Sequence, residues 1–180
     1  MKEKVLNFWF TEISEKDWFI KNEEFDQRLK SRFLDLHTAA KRNELYSWRN
    51  SVQGRLAEII VLDQFSRNIF RNQFEAFAQD PLALSLAQEA VSKGDAKHLT
   101  EKEKSFLFLP YMHSESLKIH EEFLRLLEQN GINSGNLYEY ELKHKVIIDR
   151  FGRYPHRNNI LNRPSTPEEI QFLQSPNSSF

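Results

Sequence analysis

Val52-Gln53-Gly54-Arg55-Leu56-Ala57-Glu58-Ile59-Ile60-Val61-Leu62-Asp63-Gln64-Phe65-Ser66-Arg67-Asn68-Ile69-Phe70 is the stretch that decides the fold. At about 100° per residue, Ile59, Ile60, Val61, Leu62, Phe65, Ile69 and Phe70 cover nearly the whole circumference of a helix. A helix that is apolar on all sides belongs at the centre of a protein. Yet this one carries Asp63 and Arg67, with Arg71 one step further, on a single stripe at i, i+4 spacing. The acid precedes the base, the favourable order for an intrahelical pair. Charges on a buried helix must be paired or must face water. Two readings follow: an ion-pair network that orients helices, or a ligand-lined cavity.

Outward from this helix, the chain reads as one helix after another. Asn22 to Arg42 carries Phe25, Leu29, Phe33, Leu36 and Ala40 at helical spacing. Asp80-Pro81 reads as an N-cap followed by a first-turn proline, and Gly94 as the stop. Thr100-Glu101-Lys102-Glu103 has capping-box spacing ahead of Phe106 to Leu109, and Pro110 is expected to kink or end that helix. Ser114 is a candidate cap for a helix running to Gly131. Leu137 to Phe151 is stopped by Gly152, and Thr166-Pro167-Glu168-Glu169 opens a last helix with a second capping box. No segment alternates long enough to be a strand. The expected fold class is all-α, a single domain over residues 1–174 with a frayed tail at 175–180. Short connections make neighbouring helices antiparallel hairpins.

Composition agrees. The 180 residues are 39% apolar and 28% charged, which excludes a disordered chain. Only 5 Gly and 6 Pro argue against a turn-rich β fold, while 15 Phe need a core, an interface or a lined groove. Lysine plus arginine is 25 against 26 acids, so no net field favours nucleic acid. There is no cysteine, which removes disulfides, thiolate catalysis and Cys-ligated metals. No apolar run reaches the roughly 18 residues of a spanning helix. The expectation is a cytoplasmic protein with no membrane segment and no nucleic-acid partner.

Two further polar segments stand out. Asp149-Arg150-Phe151-Gly152-Arg153-Tyr154-Pro155-His156-Arg157-Asn158-Asn159, with Arg163 beyond, is dense in forked donors suited to carboxylate or phosphate. The alternative is that these arginines pair with Asp63, Asp80, Glu115 or helix-end carbonyls. Pro110-Tyr111-Met112-His113-Ser114-Glu115 places a histidine beside a helix start, where it can act as an acid or base or simply tie down a loop. His113, Glu115 and His120 match no known metal spacing, so neither metal nor cofactor is expected. Phosphate-loop, dinucleotide, nucleophile-elbow and metalloprotease signatures are absent. The aromatics Phe8, Trp9, Phe10, Trp18, Phe19, Phe25 and Phe33 are read as core.

Together these stretches resemble the bacterial domain-of-unknown-function 924 family, which is all-helical and tetratricopeptide-like. The resemblance rests on Val5 to Phe10, Trp18-Phe19 with Phe25-Asp26, and Gly54-Arg55-Leu56 leading into Leu62 to Arg71. It continues through Ala76-Phe77 with Asp80, Pro110 to Glu115, His144, Arg150 to Asn158, and Ser165 to Glu169. Ser66 departs from a usual proline and Asn162 from a frequent glycine. The resemblance implies a helical array with tetratricopeptide-like superhelical curvature; it implies no activity.

The functional expectation is a helical binding module for an anionic small molecule or a peptide terminus. Its candidate ligand-binding residues are Arg67, Asn68, Arg71, Glu115, His144, Arg150, Arg153, Arg157 and Asn158. A competing expectation is an enzyme using Asp63, His113 and His156 as acid–base groups on an anionic substrate. A third is a protein–protein adaptor that uses exposed aromatics.

Overall fold

The computed structural model describes residues 1–176 and 178. Among them every regular element is helical and no strand occurs, as the sequence leads one to expect. No helix of the described residues is long and apolar enough to cross a membrane. The chain divides into two compact units, Met1–Pro110 and Tyr111–Phe180.

In the first unit, α1 (Lys2–Asn7) widens into a π-helical turn at Phe8–Glu12. Next comes α2 (Glu23–Lys41), whose cap Asn22 accepts from the Phe25 N–H. The decisive stretch is α3 (Val52–Ile60), a second π-helical turn at Val61–Phe65, and α4 (Ser66–Ile69). Then come α5 (Asp80–Ser92) and α6 (Glu101–Met112). From Leu56 to Leu62 every residue is buried, so the all-round apolar pattern does mark a central helix, with α1 and α5 packed on it. The two π turns bring aromatic rings together. Phe8 lies 5.0 Å from Phe33, Phe33 4.9 Å from Phe65, and Trp9 5.6 Å from Phe65. Burying each such ring stabilises the core by about 2–3 kcal/mol. The core reading of Phe8, Trp9, Phe25 and Phe33 holds, but Phe19 stands 72% exposed. Gly54 is required by a close approach: a Cβ there would meet the Trp48 carbonyl oxygen at 1.9 Å.

In the second unit, α7 (Leu117–Gln129) packs on α8 (Asn136–Phe151). A short 3-10 turn, Pro155–Arg157, packs on α9 (Pro167–Leu173). Gly152 ends α8 with φ +67°, a left-handed conformation that its missing Cβ permits. Both sides of the Thr166–Glu169 capping box are formed. Ile147, Ile148 and Tyr154 form a core flanked by Phe151 and Phe172.

Four sequence expectations need correction. Asp80 is inside α5 rather than its cap, which is Gln79, and its carboxylate accepts from Arg67. Ser114 does not cap α7; the cap position is Ser116, and the Ser114 carbonyl accepts from His120 instead. Of the two effects expected of Pro110, it does not end α6, since the helix runs two residues further, to Met112. Arg71 is not on the helical stripe, because α4 ends at Ile69 and Asn72 turns the chain with φ +62°. Of the expected frayed tail, residues 177, 179 and 180 lie outside the described residues. Ser175 N–H donates to the Phe172 carbonyl (2.9 Å) and Ser178 Oγ to that of Leu173 (3.1 Å), which ties the described part to α9.

Candidate functional site

In the first unit the buried charges close on one another. The Arg67 fork lies on Asp80, with Nη1 donating to Oδ1 at 2.9 Å and Nη2 to Oδ2 at 3.0 Å. Nη1 also reaches the Asp63 carboxylate at 3.2 Å and its carbonyl at 2.9 Å. Asp63 is fully buried in the π turn and also accepts from Gln64. Arg71 Nη2 donates to Asp26 Oδ1 at 2.8 Å, and Asn68 Nδ2 donates to the same oxygen at 2.8 Å. Two further pairs lie in the same interior: Arg49 on the buried Glu58, and Arg55 on the buried Asp95. Each pair sets a buried carboxylate against an opposite charge, which offsets the cost of taking it out of water.

In the second unit, segment 113–116 and loop 152–166 form a connected web. The Arg163 fork donates to both Glu115 oxygens, at 2.6 and 2.9 Å, and Arg163 Nε donates to Asn158 Oδ1 at 3.0 Å. Glu115 also accepts from the Tyr154 N–H at 2.7 Å. Burial alone would raise the Glu115 carboxyl, but the Arg163 and Tyr154 donors and the Arg157 charge bring it below the ordinary range. Asn158 Nδ2 passes the web on to Glu169 at 3.2 Å. The Arg153 fork grips Glu169 at 2.7 and 2.8 Å. That grip, helped by the Thr166 N–H, holds the Glu169 carboxyl at about 2. Arg150 is exposed and reaches Glu168.

Inside this web lies a cluster of histidines. The rings of His156, His144 and His120 lie 5.6, 5.7 and 6.3 Å from that of Tyr154, and the Arg157 guanidinium stacks on it at 4.6 Å. Tyr154 is fully buried and its hydroxyl donates to the Met112 carbonyl at 2.6 Å. Backbone carbonyls fix two tautomers, since a carbonyl only accepts. His120 carries its proton on Nε2, which faces Ser114 O at 2.8 Å; Nδ1 faces Glu141 Oε1 at 2.7 Å. His144 carries its proton on Nδ1, which faces Tyr140 O at 2.7 Å. Burial pushes His144 down to about 3, reinforced by His113, His120 and His156. Burial also raises the Glu141 carboxyl, and its Oε2 has no hydrogen-bond partner among the described residues.

Asp63, Arg67, Asn68 and Arg71 thus belong to the first unit. His113, Glu115, His144, Arg150, Arg153, His156, Arg157 and Asn158 belong to the second. His113 and His156 are half-buried, whereas His144, Arg157 and Asn158 are buried. Sequence reading assigned no role to Glu141, His120 or Tyr154 at this centre. A glutamate on the buried face of α8, three residues before a histidine, is the signal that marks them in retrospect. Among the described residues no group of three acids or histidines is placed to hold a metal ion. Two open grooves, of about 680 and 500 Å³, border α2 in the first unit; neither is lined by a sequence-predicted site residue.

Comparison with known proteins gives two matches. The family model described as "Bacterial protein of unknown function (DUF924)" matches residues 5–177. The solved structure "Protein of Unknown Function ATU0120 from Agrobacterium tumefaciens" is similar at 36% identity, covering 96% of each chain with a TM-score of 0.89. No curated protein matches.

Proposed function

The chain belongs to the bacterial DUF924 family, and we propose that it is a cytoplasmic binding module on a tetratricopeptide-like array, whose second unit holds an anionic small molecule or peptide terminus. The observation that carries this reading is the ring of His120, His144, His156 and Arg157 around Tyr154. Imidazoles and a guanidinium packed this closely repel one another when charged, and an anion relieves that repulsion. His156 is the half-buried member of this ring, and His113, also half-buried, acts electrostatically on His144. The forks of Arg67, Arg71 and Arg153, expected as ligand-binding groups, already lie on Asp80, Asp26 and Glu169, so the reading leans on the imidazoles instead.

A second reading keeps the same pair as catalytic groups. Asp63 is sealed and held by Gln64 and Arg67, so proton transfer to or from a bound substrate would fall to His113 and His156. A third reading, a protein–protein adaptor, would use the exposed aromatics Phe19, Tyr46 and Phe74 of the first unit and Tyr140 of the second.

Thermal-shift and calorimetric titration against sulfate, phosphate, pyrophosphate, citrate and C-terminal peptides tests the proposal. A binder at one hundred times its Kd stabilises the fold by about 2.7 kcal/mol. H113N and H156N should reduce that stabilisation, while E168Q, on the exposed Arg150 pair, should not. A panel without a binder would refute the reading.

A further inference from the structure

We infer that His120 and Glu141 share a buried proton between α7 and α8, and that its loss at alkaline pH loosens that contact. The inference is independent of the anion-binding reading and follows from counting hydrogens in a sealed place. Both side chains are fully buried, and His120 Nδ1 lies 2.7 Å from Glu141 Oε1. On the other side of the ring, Nε2 faces the Ser114 carbonyl at 2.8 Å. A carbonyl oxygen only accepts, so Nε2 carries a hydrogen. A neutral imidazole then presents a bare lone pair at Nδ1, and a carboxylate presents another at Oε1. Two acceptors do not approach to 2.7 Å, so a second hydrogen lies between them. Drawn as acid and imidazole or as carboxylate and imidazolium, the pair has no net charge and holds one proton more than an ionised glutamate beside a neutral histidine.

The surroundings offer no substitute for that proton. Glu141 Oε2 has no hydrogen-bond partner among the described residues, so a carboxylate stripped of the shared proton would be a buried charge without compensation. Burial raises the Glu141 carboxyl in the same sense. Lys145 and Asp149 of α8 both bear on Glu141, but they pair with each other at 2.7 Å. His144, also of α8, spends its Nδ1–H on Tyr140 O. The Tyr154 hydroxyl, 3.2 Å from His120 Nε2, donates to the Met112 carbonyl at 2.6 Å. Further out, His113 bears on His144 and Arg157 stacks on Tyr154.

In the unfolded chain an ordinary histidine gives up its second proton near pH 6.5, where glutamate is already ionised. Between about pH 5 and 6 folded and unfolded chains bind the same number of protons at these two residues. Above 6.5 the folded chain holds one more. The stability the pair contributes is therefore present below that value and lost as pH rises. The unfolding constant grows about eightfold from pH 7 to 8 and about tenfold from pH 8 to 9.

Urea unfolding of the full chain at pH 7, 8 and 9, followed by circular dichroism and set beside E141Q, tests this. Glutamine supplies an amide N–H to Nδ1 and has no proton to lose. The expected result is that the unaltered chain loses stability relative to E141Q by these eightfold and tenfold steps. A second measurement needs no variant. Unfolding the unaltered chain at pH 8 in weakly buffered urea should release about one proton, counted by the base needed to hold the pH. Equal pH dependence in the two chains, or unfolding without proton release, would overturn the inference. If E141Q does not fold, the proton count alone decides.

Discussion

His144→Asn isolates the electrostatic cost of the histidine cluster. The folded protein holds His144 at about 3, against 6.5 for an ordinary histidine. Above pH 6.5 both folded and unfolded chains leave the ring neutral, and the full stability is present. As pH falls below 6.5, the unfolded chain takes up a proton that the folded chain refuses until about pH 3. Stability is then lost at about 1.4 kcal/mol per pH unit, which comes to about 2 kcal/mol between pH 7 and pH 5. Any folded value below about 4 gives the same figure at pH 5, so the result does not hinge on the depth of the shift. Asparagine can keep an N–H for the Tyr140 carbonyl but cannot titrate. The variant loses ring packing against Tyr154, which lowers its stability at pH 7 by about 1–3 kcal/mol. Its further loss between pH 7 and 5 should be about 2 kcal/mol smaller than that of the unaltered chain. Urea unfolding followed by far-ultraviolet circular dichroism at pH 7, 6 and 5 measures both quantities. A variant with the same pH slope as the parent would show that the His144 ring is not held neutral by its surroundings.

Gly54→Ala drives a methyl group into the Trp48 carbonyl and should lower stability by about 3 kcal/mol in the same urea assay. Asp95→Ala leaves the buried Arg55 guanidinium without its carboxylate and should cost about 3–5 kcal/mol, most of it recovered by pairing Asp95→Leu with Arg55→Met. His37 offers a first-unit counterpart to His144. Burial holds it at about 4, so His37→Asn should also flatten the stability loss between pH 6.5 and 4, as read by tryptophan fluorescence, all three tryptophans lying in the first unit. The Glu169 carboxyl is depressed to about 2, so its contribution is present above 4.5 and lost as pH falls toward 2. Glu169→Gln should remove that acid-side loss in thermal melts between pH 5 and 3.

The helices were legible because their signals are local. An all-round apolar stretch, a capping box at Thr166 and a glycine at 152 each act within a few residues, and the structure places an element at each. The two π turns were not legible, because a widened turn is specified by what packs against it. The second turn has a physical explanation beside the family resemblance. A proline at position 66 would lack a donor and would press its ring on the carbonyl of residue 62. A widened turn relieves that clash. In this chain Ser66 Oγ fills the place by donating to the Leu62 carbonyl at 2.5 Å, while His37 Nε2 donates to the same hydroxyl at 2.7 Å. The serine thus satisfies a carbonyl that a proline would only crowd.

The site was legible as residue types and not as partnerships. Sequence spacing places Arg67 one turn after Asp63, and that contact exists. It cannot reveal that the guanidinium fork turns to Asp80, thirteen residues on, or that Arg71 leaves the helix and turns to Asp26. An arginine fork has one planar face of donors, and a carboxylate met through both oxygens uses most of it. Once Asp80, Asp26, Glu169 and Glu115 are assigned to Arg67, Arg71, Arg153 and Arg163, the arginine-rich character of the sequence is largely neutralised inside the fold. What survives is chemistry that sequence composition undervalues: imidazoles, which count as neutral in a net charge of −1. His120 and His144 are locked by backbone carbonyls, and the half-buried His156 packs on the same tyrosine. A cluster of this kind changes its charge with pH and with what approaches it, whereas a matched arginine–carboxylate pair does neither.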